Sequence, residues 1–168
     1  MLDFAEMPLF SSFESRVYEV PKSSTDVKFS AGRNLRGCLF VCRAEDWTPE
    51  NEQFLATMLE GSTKRLGIDP PYTLADDAGV LTLNAETFTN WHSIRANVVI
   101  QRAVFFGITP SQIGLNWSVN LYDVHFVDGI PVCFANPIET VKGSPNDKRS
   151  LWSAIQALFA NTLAKAKV

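Results

Sequence analysis

Glu45 and Asp46 are adjacent carboxylic acids that come directly after a predicted strand, the apolar run 38–42. A carboxylate at a strand end can activate a water molecule as a general base. A solvated acidic pair beside a helix start is the more common role of such residues, because the carboxylates face the positive end of the helix. Both interpretations stay open, and the position invites chemistry because open α/β sheets place their sites at the carboxyl ends of the strands.

Two histidines offer a second set of candidates. Asp123 and His125 are two residues apart in a predicted strand, a spacing that suits either a catalytic pair or a cross-strand surface arrangement. His92 and Arg95 lie on a predicted helix, where no second titratable partner is evident in the sequence. We expect both histidines to have ordinary packing or surface roles.

Other familiar chemistry lacks its minimum parts. The sequence contains no GxGxxG, GxxxxGK[ST], HExxH or GxSxG motif, so it predicts no phosphate cradle, zinc peptidase or esterase. Its three cysteines, Cys38, Cys42 and Cys133, lie in apolar surroundings without a His or further Cys near enough to complete a metal set. We expect buried structural thiols and predict neither a metal nor a cofactor.

Composition limits the class of protein. A chain of 168 residues with 46% hydrophobic residues and no long apolar run is typical of one globular domain that does not span a membrane. The acids Asp3 and Glu6 stand where a secretory leader carries positive charge, so a cytoplasmic protein is expected. A net charge of −3 argues against a chain whose main task is to grip nucleic acid, so any such contact is expected to be indirect.

Apolar segments alternate with helical patterns along the chain. The predicted strands are residues 38–42, 72–74 and 103–106 and a hairpin, 121–126 with 130–135, around the turn Asp128-Gly129. The first predicted helix starts at Thr48-Pro49 and ends at Gly67, and the second covers residues 86–101. A short helix is predicted after Pro110, and a last helix begins near Ser144 or Asn146. This alternation predicts a three-layer α/β/α domain with a mostly parallel central sheet.

Residues 1–36 form a separate N-terminal segment before the domain at 37–168. The segment is rich in aromatic residues, and a short helix is predicted at 4–16. The rings of Phe4, Phe10 and Phe13 either cover one edge of the core or anchor a protein partner, as apolar terminal segments can.

Four pieces of sequence carry a resemblance to a known family: CLFVCRAED with FLATMLEGSTKRLGI, AVFFGITPSQIGL, IPVCFANPIE, and NDKRSLWSAIQALF. Together they resemble the uracil-DNA glycosylase-like fold and, within it, the non-catalytic psi subunit of the bacterial DNA polymerase III clamp loader. The helix beginning Lys148-Arg149-Ser150-Leu151-Trp152 is similar to the ALW helix of psi-like proteins. The resemblance covers residues 37–160.

The resemblance implies a role in DNA replication through protein contacts, with the N-terminal peptide reaching the clamp loader and the domain carrying a chi-like subunit. The glycosylase motifs are degraded: residues 42–46 hold no glycine, and Asn136 stands where the family has its histidine. A divergent uracil-DNA glycosylase using Glu45, Asp46 and Asn136 is the alternative, with Asn136 as a weaker, neutral donor to the departing base.

Overall fold

Apolar strands form the centre of the molecule in the computed structural model, which describes residues 29–84 and 89–166. A five-stranded sheet has the order β2-β1-β3-β5-β4. Its strands are β1 (Cys38–Arg43), β2 (Ala78–Leu83), β3 (Arg102–Phe106), β4 (Val124–Val127) and β5 (Ile130–Ala135). The first four in spatial order pair in parallel, and β4 pairs antiparallel with β5. The predicted α/β class with a mostly parallel sheet is confirmed.

Helices flank the sheet on both faces. They are α1 (Pro49–Arg65), α2 (Trp91–Asn97), α3 (Ile138–Gly143) and α4 (Pro145–Ala166). Successive residues of β1 alternate between two cores, with Phe40 facing α1, α3 and α4 and Leu39 facing α2. Because β1 is buried on both sides, its sequence is a continuous apolar run rather than an alternating one.

Local signals place the first and last helices. The Thr48 hydroxyl caps α1 by accepting from the backbone N–H of Asn51 at 3.2 Å, and Pro49 occupies the first helical position. The hydroxyl of Ser144 accepts from the backbone N–H of Asp147 at 3.2 Å at the start of α4. Both helix starts were predicted, whereas the short α3 was not.

The predicted strand at 72–74 is wrong, because this segment is a loop and the second strand of the chain, β2, begins only at Ala78. The backbone N–H of Tyr72 donates to the Thr63 hydroxyl at 2.9 Å, which holds this segment against α1 as a loop. β2 was missed because a strand beginning Ala78-Gly79 has little β propensity. The small residue is needed there, since a Cβ at position 79 would lie 2.6 Å from the Phe29 ring.

The helix predicted at 86–101 is shorter in the structure. Asn90 caps α2 through its side-chain oxygen, which accepts from the backbone N–H of Ser93 at 2.7 Å. Val98 is extended and ends the helix, because the β-branched run that follows leads into β3. Residues 85–88 lie outside the described part.

Residues 29–36 lie along the edge of β2 that is opposite to β1. Ala31 forms an antiparallel bridge with Val80, and the backbone N–H of Ser30 donates to the Val80 carbonyl at 2.7 Å. This part of the predicted N-terminal segment therefore packs on the domain. The predicted helix at 4–16, with Phe4, Phe10 and Phe13, lies outside the described residues.

The hairpin between β4 and β5 has a two-residue turn. Asp128 and Gly129 both have positive φ, 54° and 80°, as a type I′ turn requires. The register Val127↔Ile130 follows, which confirms the hairpin predicted from Asp-Gly.

The three cysteines are free and buried, as expected. Burial raises the pKa of each thiol to about 12. A thiol with such a pKa is uncharged at neutral pH and is a poor nucleophile.

Candidate functional site

The carboxyl edge of the sheet places Glu45 and Asp46 directly after β1, on a short 3-10 helix, Ala44–Asp46. Both carboxylates face the guanidinium of Arg43. Its Nε lies 3.0 Å from Oδ2 of Asp46, and one terminal nitrogen lies 3.4 Å from Oε1 of Glu45. The Asp46 side chain is only 12% exposed, while that of Glu45 is 71% exposed. Arg43 thus pairs with both carboxylates, and its closer contact is with the less exposed one, Asp46.

Asn51, in the first turn of α1, ties three elements together at this edge. Its side chain is fully buried, and its Nδ2 donates to the backbone carbonyl of Asp46. Its Oδ1 accepts from Nζ of Lys142 in α3 at 2.8 Å, and Lys142 also lies 3.6 Å from Oε1 of Glu139. This role was not predicted, because an asparagine in the first turn of a helix is ordinarily a surface residue.

Asn136 follows β5, two strands away from Asp46. Its Nδ2 donates to Oδ2 of Asp147 at the start of α4, at 3.1 Å. Burial raises the pKa of the neighbouring Tyr122 phenol. Within residues 29–84 and 89–166, the hydrogen bonds and ion pairs of Asn136 do not join it to Glu45 or Asp46.

The structure also places the two candidate histidines, His125 and His92. His125 lies in β4 with its ring 5.7 Å from that of Trp117, and no ion pair joins it to Asp123 among the described residues. His92 is exposed on α2.

On the same helix, Arg95 pairs with Asp128 of the hairpin turn at 3.0 Å, and Trp91 donates to the same carboxylate at 2.9 Å. The Trp91 hydrogen bond and the Arg95 charge lower the pKa of Asp128. These contacts fasten α2 to the hairpin.

A cavity of about 570 Å³ opens beyond β3, and sequence reasoning missed it. Its floor is the buried ring of Phe134, and Trp117 and Leu121, respectively 40% and 47% exposed, form its rim. Trp117 packs edge-on against Phe134, with ring centroids 6.4 Å apart. The other lining residues are Ile108, Thr109, Pro110, Ser111, Leu115, Asn116, Ser118 and Val119. The available signal was the absence of any charged residue from Gly107 to Tyr122.

Nowhere in the described part of the chain do three His, Cys, Asp or Glu side chains gather closely enough to hold a metal ion. No helix among the same residues is both long and apolar enough to cross a membrane.

The fold and the edge contacts define an α/β domain with a five-stranded, mostly parallel mixed sheet and flanking helices. Comparison with models of protein families and with curated proteins gave no match to this chain.

Proposed function

We propose that this chain is a non-catalytic accessory protein of the psi type, which acts in DNA replication by holding a clamp-loader or chi-like subunit. The proposal includes the finer fold assignment, in which the sheet and its helices are a variant of the uracil-DNA glycosylase-like arrangement. It rests on the sequence resemblance and on the state of the polar groups at the carboxyl edge.

The observation that carries the proposal is the internal pairing of the residues that a glycosylase would need. Asp46 is bonded to Arg43, and Asn136 is bonded to Asp147. A catalytic base or oxyanion donor must instead be aimed at the reacting atoms. The partly buried Asn51–Lys142 hydrogen bond joins α1 to α3 close to Asp46. This arrangement favours a scaffold over a reaction centre.

The partner contacts are assigned to the N-terminal segment, with Phe4, Phe10 and Phe13 as anchors. Aromatic residues are frequent hot spots at protein interfaces, where a few buried side chains supply most of the binding energy. Residues 29–36 pack along β2, so removal of residues 1–28 leaves these contacts in place. A deletion should therefore stop at residue 28.

The test measures binding of the full chain, and of a variant lacking residues 1–28, to a purified bacterial clamp-loader complex with and without its chi subunit. Phe10→Ala and Phe13→Ala in the full chain should each weaken binding by about 1–3 kcal/mol, or about 5- to 150-fold, if their rings are anchors. Ser11→Ala, between them, is the matched control.

Asp46→Asn and Asn136→Ala should leave this binding intact. Uracil release from single- and double-stranded DNA is assayed in parallel with the full chain. Uracil release that is lost in Asp46→Asn or Asn136→Ala, while both variants remain folded, would overturn the proposal and establish the glycosylase alternative. Absence of clamp-loader binding by the full chain would also remove it.

A further inference from the structure

We propose that the cavity beyond β3 is a binding site for one uncharged, apolar side chain, aromatic or branched aliphatic, presented by a protein partner. The inference rests on the proposed function in one respect, namely that the chain acts through protein contacts. It assigns to the folded domain a contact site separate from the N-terminal anchors.

The size of the cavity accommodates an inserted side chain together with the backbone that carries it. Its volume of about 570 Å³ lies within the range of about 300–1,000 Å³ that is usual for ligand pockets, and so exceeds what one side chain fills. Ile108 and Phe134 are buried at its base, whereas Trp117 and Leu121 expose much of their apolar surface at the rim. An apolar group that enters would remove this surface from water, which is the main source of favourable free energy in association.

The Trp117 ring is already held in position. It lies against Phe134 edge-on and against His125, with centroid distances of 6.4 Å and 5.7 Å. An aromatic wall that is ordered before binding loses little conformational entropy when the partner arrives. Large aromatic side chains in this situation are typical centres of protein interfaces.

Charge decides which partner fits. Residues 107–122 contain no Asp, Glu, Lys, Arg or His, although 20% of the whole chain is charged. Nucleic acids and anionic lipid surfaces are held by Lys and Arg, which this stretch does not supply. The centre of a protein interface is instead depleted of charge and enriched in aromatic residues. The neutrality of the cavity therefore favours an uncharged protein side chain.

Neutral polar groups at the rim complement the peptide backbone of such a partner. Thr109 and Ser111 both line the cavity, and their hydroxyls lie 3.1 Å apart. Asn116 and Ser118 add further neutral donors and acceptors. A side chain inside the cavity would bring its own amide groups to this ring of hydroxyl and amide groups.

The test titrates the full, isotope-labelled chain with three capped amino acids and follows the Trp117 indole signal by NMR. N-acetyl-phenylalaninamide and N-acetyl-leucinamide should shift this signal and saturate in the millimolar range, while N-acetyl-lysinamide should not. Leu121→Ser and Trp117→Ser should each weaken binding about tenfold or more. Binding to Leu121→Ser is followed on the Trp117 signal, and binding to Trp117→Ser is followed on the backbone signals of residues 108–121. Phe126→Ser is the matched control, because Phe126 is also half exposed but lies outside the cavity.

Equal binding of the lysine probe, or binding of the apolar probes that survives Leu121→Ser, would overturn the inference. Clamp-loader binding by full-length Leu121→Ser then separates the outcomes. Lost probe binding with unchanged binding to the clamp loader, both with and without its chi subunit, would assign the cavity to a free small ligand and overturn the protein occupant. Clamp-loader binding by a chain that binds no probe would refute only the cavity site, and probe binding by a chain that does not bind the clamp loader would refute only the proposed function.

Discussion

Replacing Asn51 by alanine should lower the free energy of unfolding by about 2–3 kcal/mol. The substitution removes one neutral hydrogen bond, worth about 0.5–1.5 kcal/mol, and one to a charged amine, worth about 1.5–3 kcal/mol. The sum is about 2–4.5 kcal/mol. We expect a loss in the lower half of this range, because the Lys142 side chain is 27% exposed and water can solvate its ammonium group when the Asn51 side chain is removed.

Urea unfolding followed by tryptophan fluorescence measures this change. Glu52→Ala is the matched control, because Glu52 is exposed one residue further along α1. Lys142→Met isolates the charged hydrogen bond, and a double-mutant cycle with Asn51→Ala cancels the cost of the space that alanine leaves. The coupling energy should be about 1–3 kcal/mol. A coupling below about 0.5 kcal/mol would refute the role of Asn51 as the tie between α1 and α3.

Three further predictions concern other parts of the domain. Burial raises the pKa of the three cysteine thiols from 9.0 to about 12, so they should not react with an aromatic disulfide at pH 8 until urea unfolds the chain. Reaction in the folded state would contradict this. The thiols ionise at lower pH in the unfolded chain than in the folded one. The stability that the buried, uncharged thiols contribute should therefore be lost as pH rises from about 9 towards 12. Asp128→Asn should lower the free energy of unfolding at neutral pH, as measured by urea unfolding at a series of pH values. The difference in this free energy between variant and parent should disappear as pH falls through the lowered pKa of Asp128. A difference that persists in acid would exclude the charge of Asp128 as its cause. Thr48→Ala should cost about 1 kcal/mol of unfolding free energy in thermal or urea denaturation, and Thr48→Ser should restore most of it; equal loss in both would mean that the hydroxyl cap is unimportant.

The central strands of the sheet could be predicted from the sequence. β1 is a short, mostly apolar run that follows Gly37, and β3 is another that precedes Gly107. The Asp128-Gly129 turn specifies its hairpin through local backbone preference. β2 was not evident because Gly79, its second residue, must be small beside Phe29, and this contact exists only in the folded chain.

The candidate site was harder to predict than the fold. Glu45 and Asp46 could be named from their place after β1, but their pairing with Arg43 depends on the turn of the short 3-10 helix. The tie made by Asn51 requires α3, which lies about 90 residues away in the chain. The cavity likewise arises only when the loop after β3 folds back over Phe134. Long-range juxtapositions of this kind have no local signal.

The order of strands has a consequence for how the protein is made. β1 lies between β2 and β3, and Cys38 pairs with Ala78 and Arg102, which are synthesised 40 and 64 residues later. At about 5–20 residues per second, the nascent β1 has no β-sheet neighbour for about 2–8 s and lacks its second one for about 3–13 s. During that interval its apolar side chains and unpaired backbone N–H and C=O groups are available to other chains, so a ribosome-associated chaperone should raise the yield of folded protein.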